Sequence, residues 1–150
     1  MSTAPSDHLA FLLKHAWLRI AAAIGRALAP YGIDGRELAV LTVLAGEESL
    51  SQQQAAQRLA IDRTTMVAMV DGLEGKGLVE RHPHPEDRRR NVVELTVAGR
   101  QTLREATKVR DDAERRFLAP LGEAETKRLK DALHTLNSAE RPASGRAAGG

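Results

Sequence analysis

Three consecutive arginines, Arg88–Arg90, are the residues of this chain that most clearly suggest a ligand. They follow a Pro-rich run at 82–85 and lie between two β-prone runs, at 78–82 and 91–96. A cluster of guanidinium groups beside prolines cannot be buried, and its natural partner is an anion such as phosphate. The two flanking runs predict an antiparallel hairpin that carries these cations at its tip.

The positive charge is local to this region. The whole chain of 150 residues has a formal net charge of only +2. Between positions 76 and 104 the seven basic residues exceed the four acidic ones by three. They are Lys76, Arg81, Arg88, Arg89, Arg90, Arg100 and Arg104, against Glu80, Glu86, Asp87 and Glu94. An excess confined to one segment indicates a basic patch on a folded domain, which is typical of a nucleic-acid reader.

Two helices upstream of the hairpin are the elements that would position these arginines. Ser51 and Gln54 form a capping-box pair that begins a short helix, and Asp62 caps the next helix, which extends to about Lys76. Helix, turn, helix and basic hairpin in this order predict a winged helix-turn-helix. The fold class is therefore mainly α with a small β-hairpin wing, and its natural partner is double-stranded DNA.

Four further helices are predicted around this module. They span about 6–29 with Ser6 as N-cap, 34–46 with Asp34 and Glu37 as a capping box, 97–118 with Thr96 as N-cap, and 123–138. The Leu and Ala stripes of the flanking helices exceed what one small module can bury, so we expect a homodimer. The predicted parts are an N-terminal dimerisation helix at 1–33, a DNA-binding domain at 34–99, C-terminal dimerisation helices at 100–139 and a disordered tail at 140–150.

The composition excludes several kinds of function. Cysteine is absent, which rules out disulfides, a thiol redox switch and Cys-ligated zinc. His82 and His84 straddle a proline near Glu86 and Asp87, but no four-ligand zinc set is evident, so no metal is predicted. Without a nucleophile–base pair or a Gly-rich phosphate loop, we predict no enzymatic activity and no cofactor. No run reaches the roughly 20 apolar residues of a membrane span, and we expect a cytoplasmic protein.

Four motifs, in this order and spacing, resemble the MarR family of bacterial transcriptional regulators. They are Leu59-Ala-Ile-Asp-Arg-Thr-Thr-Met-Val, Leu73-Glu-Gly-Lys-Gly-Leu-Val-Glu-Arg, Asp87-Arg-Arg and Leu95-Thr-Val-Ala-Gly. The similarity covers about residues 6–138. It implies a triangular homodimer of winged-helix subunits that binds a palindromic operator. It also implies repression of the neighbouring gene and release of the DNA when a small-molecule effector binds.

The first turn of the second helix carries the candidate base readers. Arg63, Thr64 and Thr65 occupy the end that enters the major groove, where Arg can address guanine and Thr a thymine methyl or a phosphate. The alternative is that both threonines only cap the helix and that Arg63 is solvated. Ala68, one turn later, stands where many relatives carry Arg, which predicts sparse base readout supported by DNA shape.

Other candidate DNA contacts lie on the wing and on the supporting helix. The resemblance assigns Asp87 and Arg89 to a pair that rigidifies the wing, and it places Arg88 in the minor groove. Arg90 and Arg81 are interpreted as phosphate contacts or simple solubility charges, and an isolated wing tip would be only a solvated charge run. Residues Ser51 and Gln52, at a helix N-terminus, could donate to a phosphate or serve capping alone.

The resemblance also places an effector pocket between the dimer helices and the reader module. Candidates are His15, Trp17, Arg19 and Met69, although a Trp at such a position is more often part of a core or a dimer interface. Three other classes of function stay open on the sequence. They are a winged-helix protein-interaction module that never binds DNA, a DNA-binding regulator that needs no ligand, and a transcriptional activator.

Overall fold

The structure is a computed structural model that describes residues 4–46 and 49–139. The chain divides into two compact units, one up to Glu114 and one from Arg115 onwards. The first holds α1 (Leu9–Leu28), α2 (Gly35–Leu44), α3 (Gln52–Leu59), α4 (Arg63–Gly75), β1 (Val79–Pro83), β2 (Asn91–Leu95) and most of α5 (Val97–Leu118). The second holds the end of α5 and α6 (Glu123–Ala139). The predicted fold class is confirmed, whereas the predicted tail lies outside the described residues.

The helices begin where the capping residues predict. The Asp34 carboxylate accepts the Glu37 backbone N–H at 2.8 Å, and the Glu37 side chain accepts the Asp34 N–H at 3.2 Å. Ser51 and Gln54 exchange the same pair of bonds at 3.2 and 2.9 Å. These caps satisfy backbone N–H groups that the first turn of a helix leaves without a partner. The predicted starts of α2 and α3 are confirmed.

The start of the first helix differs from the prediction. Pro5–Asp7 forms a short 3-10 turn, and α1 begins at Leu9 with His8 at the N-cap and no side-chain cap. Ser6 therefore lies inside the turn and cannot act as the predicted N-cap. The end of the helix agrees better, because Gly32 adopts a left-handed conformation (φ 69°) that closes the turn at Ala29–Tyr31.

One apolar core holds the elements of the first unit together. Its fully buried side chains come from the end of α1, from α2, from α4 and from both strands; they include Leu28, Leu38, Leu41, Met66, Val70, Leu73, Val79 and Val93. Ala55 and Ala56 of α3 are buried as well, and their small size lets helices approach closely. No polar side chain is buried among the described residues. The core fixes α3, α4 and the base of the hairpin relative to one another.

A backbone contact that the sequence does not predict joins the hairpin to the residues that precede α3. β1 and β2 pair antiparallel, with Val79 opposite Leu95 and Pro83 opposite Asn91. The Val93 N–H also donates to the Leu50 carbonyl at 3.2 Å, beside an isolated bridge between Ser51 and Val92. The residues that precede α3 thus extend the small sheet by one strand position. The supporting helix begins directly against the wing.

Two residues at the start of α5 fasten this helix to the beginning of β1. The Thr96 hydroxyl accepts the Gly99 N–H at 3.0 Å, as predicted for its N-cap, and donates to the Gly77 carbonyl at 2.6 Å. Gly99 lies so close to the strand that an added Cβ would be 1.9 Å from the Leu78 carbonyl oxygen. A side chain at this position would therefore force the helix away from the strand.

Helix α6 in the second unit carries a Leu stripe with no buried member. Leu129 and Leu136 are exposed, and Leu133 is half-buried. Helix α1 in the first unit likewise exposes large apolar side chains: Leu9, Phe11, Leu12, Leu13, Trp17 and Leu18. None of the helices described is long and apolar enough to cross a bilayer.

Candidate nucleic-acid interface

The first turn of α4 combines capping with exposed side chains. Asp62 accepts both the backbone N–H of Thr65, at 2.8 Å, and the Thr65 hydroxyl, at 2.7 Å. The Thr65 hydroxyl and then its N–H hold the pKa of the Asp62 carboxyl below its usual value of 3.8. Asp62 is therefore the N-cap and the Thr65 hydroxyl supports it as a donor, whereas Arg63 and Thr64 are exposed.

One side of α4 forms a continuous surface that includes the candidate base readers. A groove of about 400 Å³ is lined by Arg63, Thr64, Val67, Ala68 and Asp71, which we call the reading face. Val67 was not singled out in the sequence, although its position one turn after Arg63 places it on the same side. Its methyl groups match a thymine methyl. Ala68, in contrast, offers no hydrogen bond here.

A second groove brings three separate candidate segments together. Its volume is about 620 Å³, and it lies between the start of α3, the start of α4 and the second strand of the wing. Ser51, Gln52, Arg63, Arg90 and Asn91 contribute to its lining. These residues are up to 40 positions apart in the chain (Ser51 to Asn91). We call this surface the junction groove.

The wing tip is ordered mainly through the backbone. The Asp87 carboxylate accepts the backbone N–H of Arg89 at 3.0 Å, and its second oxygen lies 3.8 Å from Nε of Arg90. The Asp87 carbonyl accepts the Arg90 N–H at 3.0 Å, and the Arg90 carbonyl accepts the His84 N–H at 2.8 Å. Asp87 is therefore bonded to the Arg89 main chain, and its side-chain ion pair is with Arg90. Arg88 is exposed at this tip.

Arg81 occupies an environment that the sequence did not predict. Nη2 lies 2.6 Å from Oδ1 of Asp71, and Nη1 lies 2.9 Å from Oε1 of Glu74. Nη2 also donates to the side-chain oxygen of Gln52 at 3.2 Å. Only 21% of the Arg81 side chain is exposed. A mostly covered guanidinium flanked by two carboxylates fits neither predicted role of Arg81, a phosphate contact or a solvated solubility charge.

The histidines of the wing contact glutamates or the backbone. Nε2 of His82 lies 3.1 Å from Oε1 of Glu80 and 3.9 Å from Oε2 of Glu94, and Nδ1 of His84 accepts the Glu86 N–H at 3.1 Å. Within residues 4–46 and 49–139, no group of three His, Cys, Asp or Glu side chains is arranged to hold a metal ion.

The four effector-pocket candidates lie on two different helices. His15, Trp17 and Arg19 are exposed on α1, where the His15 ring packs on Phe11 with a centroid separation of 4.0 Å. Met69 instead lines a groove of about 270 Å³ with residues of α2 and α4, and none of the three α1 candidates lines that groove.

Known proteins are similar to this chain in both sequence and fold. The sequence profile of the MarR family matches residues 31–90, which include α2, α3, α4 and the wing up to its tip. The transcriptional regulator YdgJ of Bacillus subtilis is 31% identical over 107 residues, which is 71% of this chain and 65% of YdgJ. The chain spans less than two thirds of the length of the first curated relatives it matches.

Solved structures cover almost the whole chain. A MarR-family regulator from Rhodococcus sp. RHA1 is 29% identical, with a TM-score of 0.81 over 90% of this chain and 97% of that one. The repressor CouR bound to a 23-mer DNA duplex is 33% identical, with a TM-score of 0.83 over 91% and 99%. CouR from Rhodococcus jostii RHA1 bound to p-coumaroyl-CoA is 28% identical, with a TM-score of 0.78 over 90% and 95%. The chain therefore belongs to the MarR family of DNA-binding transcriptional regulators, which are not enzymes.

Proposed function

We propose that this protein is a cytoplasmic, ligand-responsive repressor that binds a palindromic operator as a homodimer. In this proposal each α4 enters a major groove with Arg63 and Thr64, and each wing places Arg88 in the adjacent minor groove. Two-fold symmetry of the protein then requires two half-sites about one DNA turn, roughly 34 Å, apart.

The observation that carries the proposal is the junction groove. It joins the N-termini of α3 and α4 to Arg90 of the wing, although these segments are distant in sequence. Helix N-termini and arginines are the groups that bind phosphate, and Gln52 adds side-chain N–H donors. CouR, a protein 33% identical to this chain, has been solved bound to a DNA duplex, which supports DNA as the partner.

The response to a ligand is supported by a relative and by an exposed surface. CouR has been solved with p-coumaroyl-CoA, and it is 28% identical to this chain in that structure. In this chain Trp17 is 66% exposed on α1, beside the exposed side chains of His15 and Arg19. We propose that these three residues contribute to the effector site. Met69 lines a separate groove. It belongs to the same effector site only if dimerisation brings that groove next to the exposed residues of α1.

Titration of the purified protein with duplexes tests the proposal. The probes are DNA from upstream of its own gene and a scrambled duplex of equal length, each at two salt concentrations. Tight binding of two subunits to one palindrome, with a footprint limited to it, is the expected result. The variant Arg63→Ala should weaken binding to the palindrome much more than to the scrambled duplex, since it removes a base contact. Equal and weak binding of the wild type to both duplexes, and to a genomic fragment library, would refute the proposal.

The same assay decides between repression with and without a ligand. Effector candidates, including acyl-CoA thioesters, are added to the preformed complex. Release of DNA by one of them, and loss of that response in Trp17→Ala, would identify α1 as part of the effector site. Binding that no compound changes would favour a regulator that needs no ligand.

A further inference from the structure

We propose that Arg81 is a positioning residue that holds the wing in a defined orientation relative to α4, so that the wing arginines reach the DNA. This inference rests on the proposed DNA-binding function. It replaces the phosphate contact that the sequence suggested for Arg81 with a role exerted through other residues.

The Arg81 guanidinium joins three elements of the fold. It extends from β1 to Asp71 and Glu74, which lie on α4, with contacts of 2.6 and 2.9 Å. It also donates to the Gln52 side-chain oxygen, at the first position of α3, at 3.2 Å. One side chain therefore connects the wing, the helix that carries the reading face and the supporting helix. A planar guanidinium suits this task because its N–H groups point in fixed directions.

The charge around Arg81 argues against a direct contact with phosphate. Two carboxylates neutralise its single positive charge, and its side chain is mostly covered. The Arg90 side chain, in contrast, is 71% exposed at the tip. Arg81 also has a second effect, because it offsets part of the negative charge of Asp71, which is part of the reading face. Without Arg81 that carboxylate would repel the phosphates of the groove.

The bond to Gln52 orients a second candidate DNA contact. The side-chain oxygen of Gln52 faces Arg81, so the N–H groups of the same amide point away from it. Gln52 lines the junction groove, where a phosphate oxygen could accept from its amide N–H groups. Arg81 therefore positions both the wing and one donor of the supporting helix.

The position of the wing tip depends on how the base of the hairpin is held. A two-stranded hairpin has little stability of its own, so its direction depends on contacts at its base. β1 continues for two residues beyond Arg81, roughly 7 Å, before the turn that carries Asp87 and Arg88. A rotation of the hairpin at Arg81 is therefore transmitted to this turn and moves Arg88 relative to a narrow minor groove.

The double variant Asp71→Ala/Glu74→Ala separates positioning from electrostatics. It keeps every positive charge and removes two negative ones, and Ala is compatible with the helix. If Arg81 only supplied charge, this variant would bind operator DNA more tightly than the wild type. If Arg81 positions the wing, binding weakens by roughly 3- to 30-fold. Arg81→Ala should weaken binding to a similar extent, with a partial recovery in Arg81→Lys. The control Glu86→Gln removes a carboxylate from the wing tip and should not weaken binding.

A measurement on the protein without DNA tests the orientation itself. Because the chain has no cysteine, Gln53→Cys and Glu86→Cys provide two unique positions for nitroxide labels. Labelled protein is diluted into unlabelled protein, and the distance distribution is measured by pulsed electron resonance. We expect a narrow distribution in the otherwise wild-type protein and a clearly broader one with Arg81→Ala, at equal helix content by circular dichroism.

Two results would overturn the inference: tighter DNA binding by the double variant, or distance distributions of equal width with and without Arg81. Failure of the proposed function would be recognised separately. In that case the wild type would bind no duplex specifically, while the distance measurement would still report whether Arg81 holds the wing.

Discussion

Among the residues of the wing tip, Arg88 is the one whose removal should affect DNA binding most directly. It is exposed, and it follows Asp87, whose carboxylate accepts the Arg89 N–H and whose carbonyl accepts the Arg90 N–H. We expect Arg88→Ala to weaken operator binding about tenfold and to lower the slope of log K against log salt by about 0.9, because one cation leaves the phosphate region. Fluorescence anisotropy titrations at several salt concentrations measure both. An unchanged affinity and slope would show that the tip does not contact DNA.

A variant of Asp87 tests whether this residue acts on DNA binding by ordering the wing tip or only through its charge. Removing a carboxylate next to DNA should strengthen binding if only net charge mattered. Its bonds to the Arg89 N–H and its approach to Arg90 instead predict that Asp87→Ala loosens the tip and weakens binding several-fold. The same titrations measure this change, and tighter binding would contradict the ordering role.

At the scale of elements, the contact between α5 and the start of β1 depends on Gly99. A Cβ at this position would lie 1.9 Å from the Leu78 carbonyl oxygen, so helix and strand would have to separate. Gly99→Ala should lower the free energy of unfolding by roughly 1–3 kcal/mol. Urea denaturation measures it. In the matched control Gly72→Ala, an added Cβ meets no atom within 4 Å, and stability should rise slightly since Ala favours a helix.

The cap of α4 has a pH dependence whose direction follows from its hydrogen bonds. The lowered pKa of Asp62 means that the cap stabilises the fold above the usual value of 3.8 and is lost as the pH falls through the lowered one. The Tm difference between the wild type and Asp62→Asn should therefore be constant above about pH 5 and change only in more acidic solution. A difference that changes between about pH 6 and 8 would point to another titrating group.

At the scale of the whole molecule, the exposed apolar side chains of α1 predict self-association. Leu9, Leu12, Leu13 and Trp17 recur at helical spacing and stay exposed in the single chain. We expect Leu13→Glu to convert a homodimer into a monomer in analytical ultracentrifugation and to abolish cooperative binding to a palindrome. Lys14→Glu, a charge reversal at the neighbouring exposed position, is the control and should leave the dimer intact. A monomeric wild type would contradict the proposed assembly.

Most helix starts, and the class of partner that the fold suits, follow from residues that are close together in the chain. Asp34, Ser51, Asp62 and Thr96 all cap helices in the structure, because a cap depends only on residues up to three positions away. The arginines of the wing are equally local, since three adjacent cations cannot be buried. The family resemblance supplied the expected topology. Ser6 failed as a cap because the 3-10 turn at Pro5–Asp7 displaces the start of α1.

Contacts between side chains that are distant in the sequence depend on tertiary packing. Arg81 is 10 positions from Asp71 and 29 from Gln52, and no local pattern indicates that the hairpin folds back onto both helices. The backbone bond between Val93 and Leu50 and the close approach of Gly99 to Leu78 arise in the same way. Such contacts depend on how the core packs the base of the hairpin against α3, α4 and α5. A sequence pattern can predict an ion pair when the two residues are close together in the chain. It cannot predict a pair such as Arg81 and Asp71, which the fold brings together.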